Sequence, residues 1–270
     1  MPRSLPPAHR DFLQDALDSL RLDSRIVGVA AGGSYASDSM DEHSDLDLVI
    51  AVEPEHFASV MSGRTDVAAS LGPLLASFTG EHVGEPRLLI CLYAPPPLHV
   101  DLKFVAMPDL AERVEDPIVL WERDGRVTAA LAAGSAAYPG PDPKWIDDRF
   151  WIWVHYGASK IARGELFEAM DFLAFLRMVV LGPLALQRAG ARPQGVRKIE
   201  VAAPTFADRL RETVAQHDAA SCAKALKATV DLYRELRPNA GSSGPAEEAA
   251  AAYLEATMQF ARGSSRGHHL

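Results

Sequence analysis

The segment DLDLVIAV, residues 45–52, constrains this chain more than any other. Side chains alternate across a strand. Read as a strand, it puts Leu46, Leu48, Ile50 and Val52 on one face and Asp45, Asp47, Val49 and Ala51 on the other. The first face belongs in a core. The second projects two carboxylates from one end of the strand. A later run, LHVDLKFV at 98–105, repeats the pattern, with Val100, Leu102 and Phe104 on the apolar face and His99, Asp101 and Lys103 opposite. If the two strands are neighbours in one sheet, three carboxylates converge. Two carboxylates about 4 Å apart repel by roughly 4 kcal/mol at an effective dielectric near 20. A hard divalent cation removes that penalty, and Mg²⁺ pairs carboxylates with substrate phosphates. The set holds no sulfur and no paired histidines, which argues against zinc. Asp-x-Asp alone more often marks a solvated strand end, and a lone Asp101 an ordinary half-exposed strand residue. The third acid on a compatible strand favours a functional reading.

A second feature lies just upstream. Gly32-Gly33-Ser34 follows the apolar run RIVGVAA, residues 25–31, which reads as a buried strand. Glycine lets backbone amides approach a phosphate, and a helix starting here would aim N–H groups at an anion. Ser34 adds a hydroxyl. Taken alone, Gly-Gly-Ser is usually a plain turn, and the Gly-Lys-Ser/Thr ending of a P-loop is absent.

The rest of the chain divides by composition. Residues 7–21 have helical periodicity, residues 55–77 read as helical, RLLICLY (87–93) as a further strand and IVLWERD, starting at 118, as a possible fifth. APPP at 94–97 suits a hairpin loop, because proline has no place in a central ladder. GSAAYPGPDP, 134–143, reads as a linker. Beyond it, 144–163, 165–189, 201–217, 221–236 and 245–262 carry helical patterns, GSSG at 241–244 separates the last two, and the tail GSSRGHHL reads as frayed. The expected fold is α+β: a mixed-sheet domain with flanking helices over 1–138, then an all-α helical bundle over 139–270. A cleft between two domains is a common place for a ligand.

Charge and cysteine use narrow the function. A net charge of −9 disfavours nucleic acid and anionic membrane as partners. Cys91 and Cys222 form neither a disulfide framework nor a zinc spacing. MPRSLPPAHRDF lacks a signal core, and the richest apolar stretch, Met178–Leu186, is about half of what a bilayer span needs. The expectation is a soluble cytoplasmic protein.

Gly33-Ser34, ten residues, Asp45-Leu46-Asp47 and then Asp101 in a later strand together resemble the nucleotidyltransferase superfamily with the DNA-polymerase-β-like catalytic domain. The likeness covers roughly 25–105, in GGSYASDSMDEHSDLDLVIAV and LHVDLKFV. The helical second domain, including WIWVHYGASKIARGELFEA, is similar to that of the aminoglycoside and lincosamide antibiotic nucleotidyltransferases. The Arg-Gly that many relatives carry after Gly-Ser is replaced here by SYASDSMDE. The resemblance implies that Asp45 and Asp47 bind one or two Mg²⁺ ions holding the triphosphate of ATP. Gly33 and Ser34 would contact phosphates, and Asp101 would be a base or third metal ligand. AMP would pass to a hydroxyl of a small molecule, such as an antibiotic, with release of pyrophosphate. The alternatives are transfer to a protein or an RNA end, or a non-catalytic nucleotide-binding, antitoxin-like module. Nothing in the sequence sets the oligomeric state.

In the helical part, Trp151, Val154, Ala158 and Ile161 form one stripe, and Trp153, Tyr156, Lys160 and Arg163 nearly the opposite one. The second stripe could stack on a base and meet phosphates, with Lys160 the candidate triphosphate contact. Glu165, Glu168 and Asp171 would suit an amine-bearing substrate, or simply a solvated face. His43, His99 and His155 stand isolated and read as structural, and Glu81 and Glu85 as a possible border of the acceptor site.

Overall fold

The computed structural model describes residues 2, 4–237 and 244–264. The chain forms two compact units, Met1–Tyr138 and Pro139–Leu270.

The first unit is a six-stranded mixed sheet with flanking helices. In chain order it holds α1 (Pro7–Leu22), β1 (Ile26–Ala31), α2 (Gly33–Ala36), β2 (Leu46–Val52), α3 (Phe57–Ser62), α4 (Arg64–Ser70), β3 (Leu74–Gly80), β4 (Glu85–Tyr93), β5 (Leu98–Ala106), β6 (Ile118–Glu122) and α5 (Arg126–Ala132). The sheet order is β3-β4-β5-β2-β1-β6. β2 and β5 run parallel, and the other neighbours are antiparallel. The alternation of β2 decides which face is core: Leu46, Leu48, Ile50 and Val52 are all 0–1% exposed. They pack with Val100, Leu102 and Phe104 of β5 and with Leu13, Ala16, Leu17 and Leu20 of α1. On the reverse face a smaller cluster of Val27, Ala51, Val105 and Val127 lies under α5. It covers the C-terminal ends of β2 and β5 and leaves their N-terminal ends, with Asp47 and Asp101, only partly buried.

Residues 55–77 are helical only as far as Ser70. Gly72-Pro73 stops the helix, and Leu74–Gly80 becomes the edge strand β3 through its pairing with β4. The helix after Gly-Gly-Ser is a single turn.

The second unit is helical. It comprises α6 (Pro143–Ala162), α7 (Leu166–Leu176), a π-helical turn over Arg177–Leu181, α8 (Gly182–Arg188), α9 (Ile199–Ala202), α10 (Pro204–Leu210), α11 (Ala219–Leu236) and α12 (Pro245–Ser264). Asp142 caps α6 by accepting from the Lys144 and Trp145 amides, and Pro143 fits the first helical position, whose N–H would lack a partner anyway. Phe150 is fully buried and stacks on Tyr233, ring centroids 3.7 Å apart. The stretch read as one helix over 201–217 is instead α9, α10 and a short 3₁₀ turn, with Pro204 dividing it. Leu166–Arg188 is 23 residues long and apolar enough to cross a membrane by composition, well beyond Met178–Leu186. More than half of its most apolar 18-residue stretch, 56%, is buried, as a core helix would be. Most of the GSSG break and of the tail GSSRGHHL lies outside the described residues.

Candidate active site

The parallel pairing of β2 with β5 sets Asp47 directly opposite Asp101. Asp45 precedes β2 on the same side. One carboxylate oxygen from each of Asp45, Asp47 and Asp101 lies within 4.8 Å of the other two, and all three side chains are half-buried. Hard oxygen donors at this spacing, repelling one another in a partly desolvated place, suit a divalent cation such as Mg²⁺.

The turn from β1 is built against this cluster. The Gly32 N–H donates to the Asp47 carbonyl oxygen at 2.9 Å, fixing the turn to β2. Gly33 has φ +56°, and a Cβ there would lie 1.9 Å from Asp47 Oδ2, so a side chain would be strained and would push the Asp47 carboxylate aside. The Ser34 Oγ is buried without a hydrogen-bond partner. A buried hydroxyl of that kind is costly unless something supplies the missing bond.

Two neighbours were not legible as such. Glu115 comes from the loop before β6, and its Oε1 accepts from the Gly33 N–H at 3.3 Å. It also sits 2.6 Å from where a Gly32 Cβ would be. Nothing local in RVEDPIVL marks it. His99, read as isolated, is not: its Nε2 is 2.9 Å from Asp101 Oδ1. Two residues apart on one strand, the pair shares a face, which was the available signal. His43 lies 3.6 Å from Glu42, and His155 packs on Tyr253 with ring centroids 4.5 Å apart.

Glu85 is not a loop residue but the first of β4. Its carboxylate is held by Arg87 and Lys103, each at 2.8 Å. The Arg87 guanidinium, joined by Lys103, lowers its pKa to about 2 against the opposing effect of burial. Cys91 lies on the core face of β4, where burial pushes its thiol up to about 11 and leaves no thiolate for chemistry.

Lys160 belongs to the helical unit. Its ammonium lies 2.7 Å from Glu165 and 3.1 Å from Glu168, which hold its pKa above the ordinary lysine value, Glu165 most strongly. Tyr156 donates to Glu168, and Arg163 pairs with Glu165 at 2.6 Å. Basic stripe and acidic run are thus one network. Trp153 packs against the core and edge-on to Phe175.

Comparison with known proteins finds a family likeness in part of the first unit. The family model described as nucleotidyltransferase domain matches residues 13–86, a stretch that holds Gly33, Ser34, Asp45 and Asp47 and stops short of Asp101. No curated protein matches. Among solved structures, an aminoglycoside 6-adenyltransferase from Bacillus subtilis is 16% identical, with 94% of this chain and 96% of that one covered, at a TM-score of 0.34. A nucleotidyltransferase-like protein from Exiguobacterium sibiricum is 14% identical, covering 89% of this chain and 83% of that one, at 0.37. Such TM-scores are too low to carry anything across. Residues 13–86 are thus similar to the nucleotidyltransferase domain, a match that supports a nucleotidyltransferase enzyme.

Proposed function

We propose that this nucleotidyltransferase moves AMP from ATP to a hydroxyl of a small molecule and releases pyrophosphate. The observation that carries the reading is the convergence of Asp45, Asp47 and Asp101 within 4.8 Å beside the Gly33 turn. Asp45 and Asp47 would hold Mg²⁺, with Asp101 completing the set or taking the proton. Held by these carboxylates, Mg²⁺ would supply charge neutralisation for the phosphates. The unpartnered Ser34 Oγ would supply a phosphate contact.

The chemistry asks for positioning more than covalent help. The acceptor oxygen attacks the α-phosphorus, the bond from that phosphorus to the bridging oxygen breaks, and pyrophosphate leaves with the electron pair. The acceptor proton goes to a carboxylate within reach, and Asp101 is the one to which His99 is bonded. That bond fixes the carboxylate's orientation. Lys160, which Glu165 and Glu168 hold in its charged form, would be the triphosphate contact from the helical unit. Both cysteines are free and buried, which accords with a reducing, cytoplasmic setting.

The test uses labelled ATP, Mg²⁺ and a panel of aminoglycoside and lincosamide acceptors. Pyrophosphate and a nucleotidylated product are expected. Asp47→Asn should lower the rate by about a thousandfold with the fold intact by circular dichroism. Undiminished turnover in that variant would rule out the metal assignment. Nucleotide found by mass spectrometry on a co-purified protein would move the acceptor to a macromolecule.

A further inference from the structure

Strand register extends the acidic cluster into an apolar row. On the face of the sheet that carries the carboxylates, Asp47 of β2 pairs with Asp101 of β5, Asp101 with Ile90 of β4, and Ile90 with Phe78 of β3. One line across four strands therefore reads acid, acid, isoleucine, phenylalanine. The next line reads His99, Leu92, Ala76. Neighbouring strands lie about 4.8 Å apart, so the Phe78 position is about 10 Å from that of Asp101. Phe78 is 57% exposed and Leu92 41%, although the other face of Leu92's strand, with Leu89, Cys91 and Tyr93, is core. Exposed apolar side chains arranged in rows are unusual on a folded surface and mark a place of contact.

We propose that this row is the acceptor platform: the substrate is an amphipathic molecule whose reacting hydroxyl is carried on an apolar, planar body about 10 Å long. The inference rests on the function proposed above and names the acceptor's chemistry. The hydroxyl would lie over Asp101, and the body over Ile90, Leu92 and Phe78. Continuity fixes this occupant. The apolar residues start at the strand next to Asp101, with no polar residue in the row between them. A ring on Phe78 gains stacking as well as burial. The charges beside the row are Lys103 and Arg87, and Glu85 already engages both. Among the described residues, the register positions of this row beyond Asp101 are apolar, which does not suit a polycationic acceptor.

The probes are an aryl β-glucoside and methyl β-glucoside, which share their hydroxyls and differ in the apolar body. Binding is followed by saturation-transfer NMR on the full chain with Mg²⁺ and a non-hydrolysable ATP analogue present. The aryl compound should bind about tenfold more tightly. Phe78→Ser and Leu92→Ser, both at exposed positions, should each remove most of that advantage, while affinity for the analogue, measured by calorimetry, stays unchanged. Equal binding of the two glucosides overturns the proposal, as does an advantage that survives Phe78→Ser. So does a Phe78→Ser variant that changes only the oligomeric state by light scattering, which would make the face an interface between copies. Failure of the wild-type chain to bind the nucleotide analogue with Mg²⁺ would instead sink the parent reading.

Discussion

If the Gly33 turn meets the triphosphate as proposed, Glu115 bears directly on nucleotide binding. Its carboxylate accepts the Gly33 N–H, a donor that phosphate oxygens use in glycine-rich turns. It also brings a further negative charge to the turn that packs on Asp47. A triphosphate entering beside that turn meets both a competitor for the amide and a like charge. Two unit charges about 4 Å apart in a water-like medium interact by about 1 kcal/mol. Glu115→Ala should therefore lower the KM for ATP by about fivefold with kcat little changed, measured by steady-state pyrophosphate release. A fall in kcat with KM unchanged or raised would show that Glu115 serves the reaction instead. At this scale legibility follows chain distance. Asp45, Asp47 and Asp101 could be found because period-two alternation marks the face of each strand. Glu115 could not, because its contact joins residues 82 apart and only the closed sheet brings them together.

Among the elements, β3 shows where pattern reading ends. The stretch 55–77, read as helical throughout, is helical in α3 and α4 and ends before Gly72-Pro73. LLASFTG after it has no clean alternation, since its register with β4 shifts between Leu74 and Ala76 and again between Thr79 and Gly80. Pairing, not propensity, makes it a strand. The parallel joining of β2 to β5 was equally hidden, because strands far apart in the chain become neighbours only through the sheet order. That order also makes the β4–β5 clasp testable. Glu85 at the head of β4 is held by Arg87 and by Lys103 of β5, and its pKa falls from 4.5 to about 2. A carboxylate depressed on folding adds stability that is complete above the unfolded value and lost as pH falls towards the folded one. With allowance for partial exposure, Glu85→Gln should cost about 1–2 kcal/mol at pH 7 by urea unfolding. More than half of the gap from wild type should have closed by about pH 3, as both values dictate. A gap that does not change with pH would mean that the clasp acts through shape and not charge.

For the molecule as a whole, composition located the change from mixed sheet to helices without revealing how each unit is built. The two units draw on separate cores: Phe150, Leu173, Leu226 and Tyr233 belong to one cluster, and Leu48, Ile50, Leu102 and Phe104 to another. Each unit, at 132–138 residues, is large enough to bury a core of its own. Separate cores favour separate unfolding steps, so one two-state transition is not expected. Calorimetry of the full chain should resolve two. Phe150→Ala removes a fully buried ring stacked on Tyr233 and should cost about 3–5 kcal/mol. It should lower one transition only. Mg²⁺ with a non-hydrolysable ATP analogue at about 100 times its Kd adds about 2.7 kcal/mol to whatever binds it. With the acidic cluster and the Gly33 turn in the first unit, that ligand should raise the other transition by several degrees. If the substitution and the ligand move the same transition, either the units unfold together or the nucleotide is held by the helical unit. Adding the ligand to the Phe150→Ala variant separates the two cases, because a jointly unfolding chain still shows one transition, whereas binding to the helical unit leaves an unshifted second one.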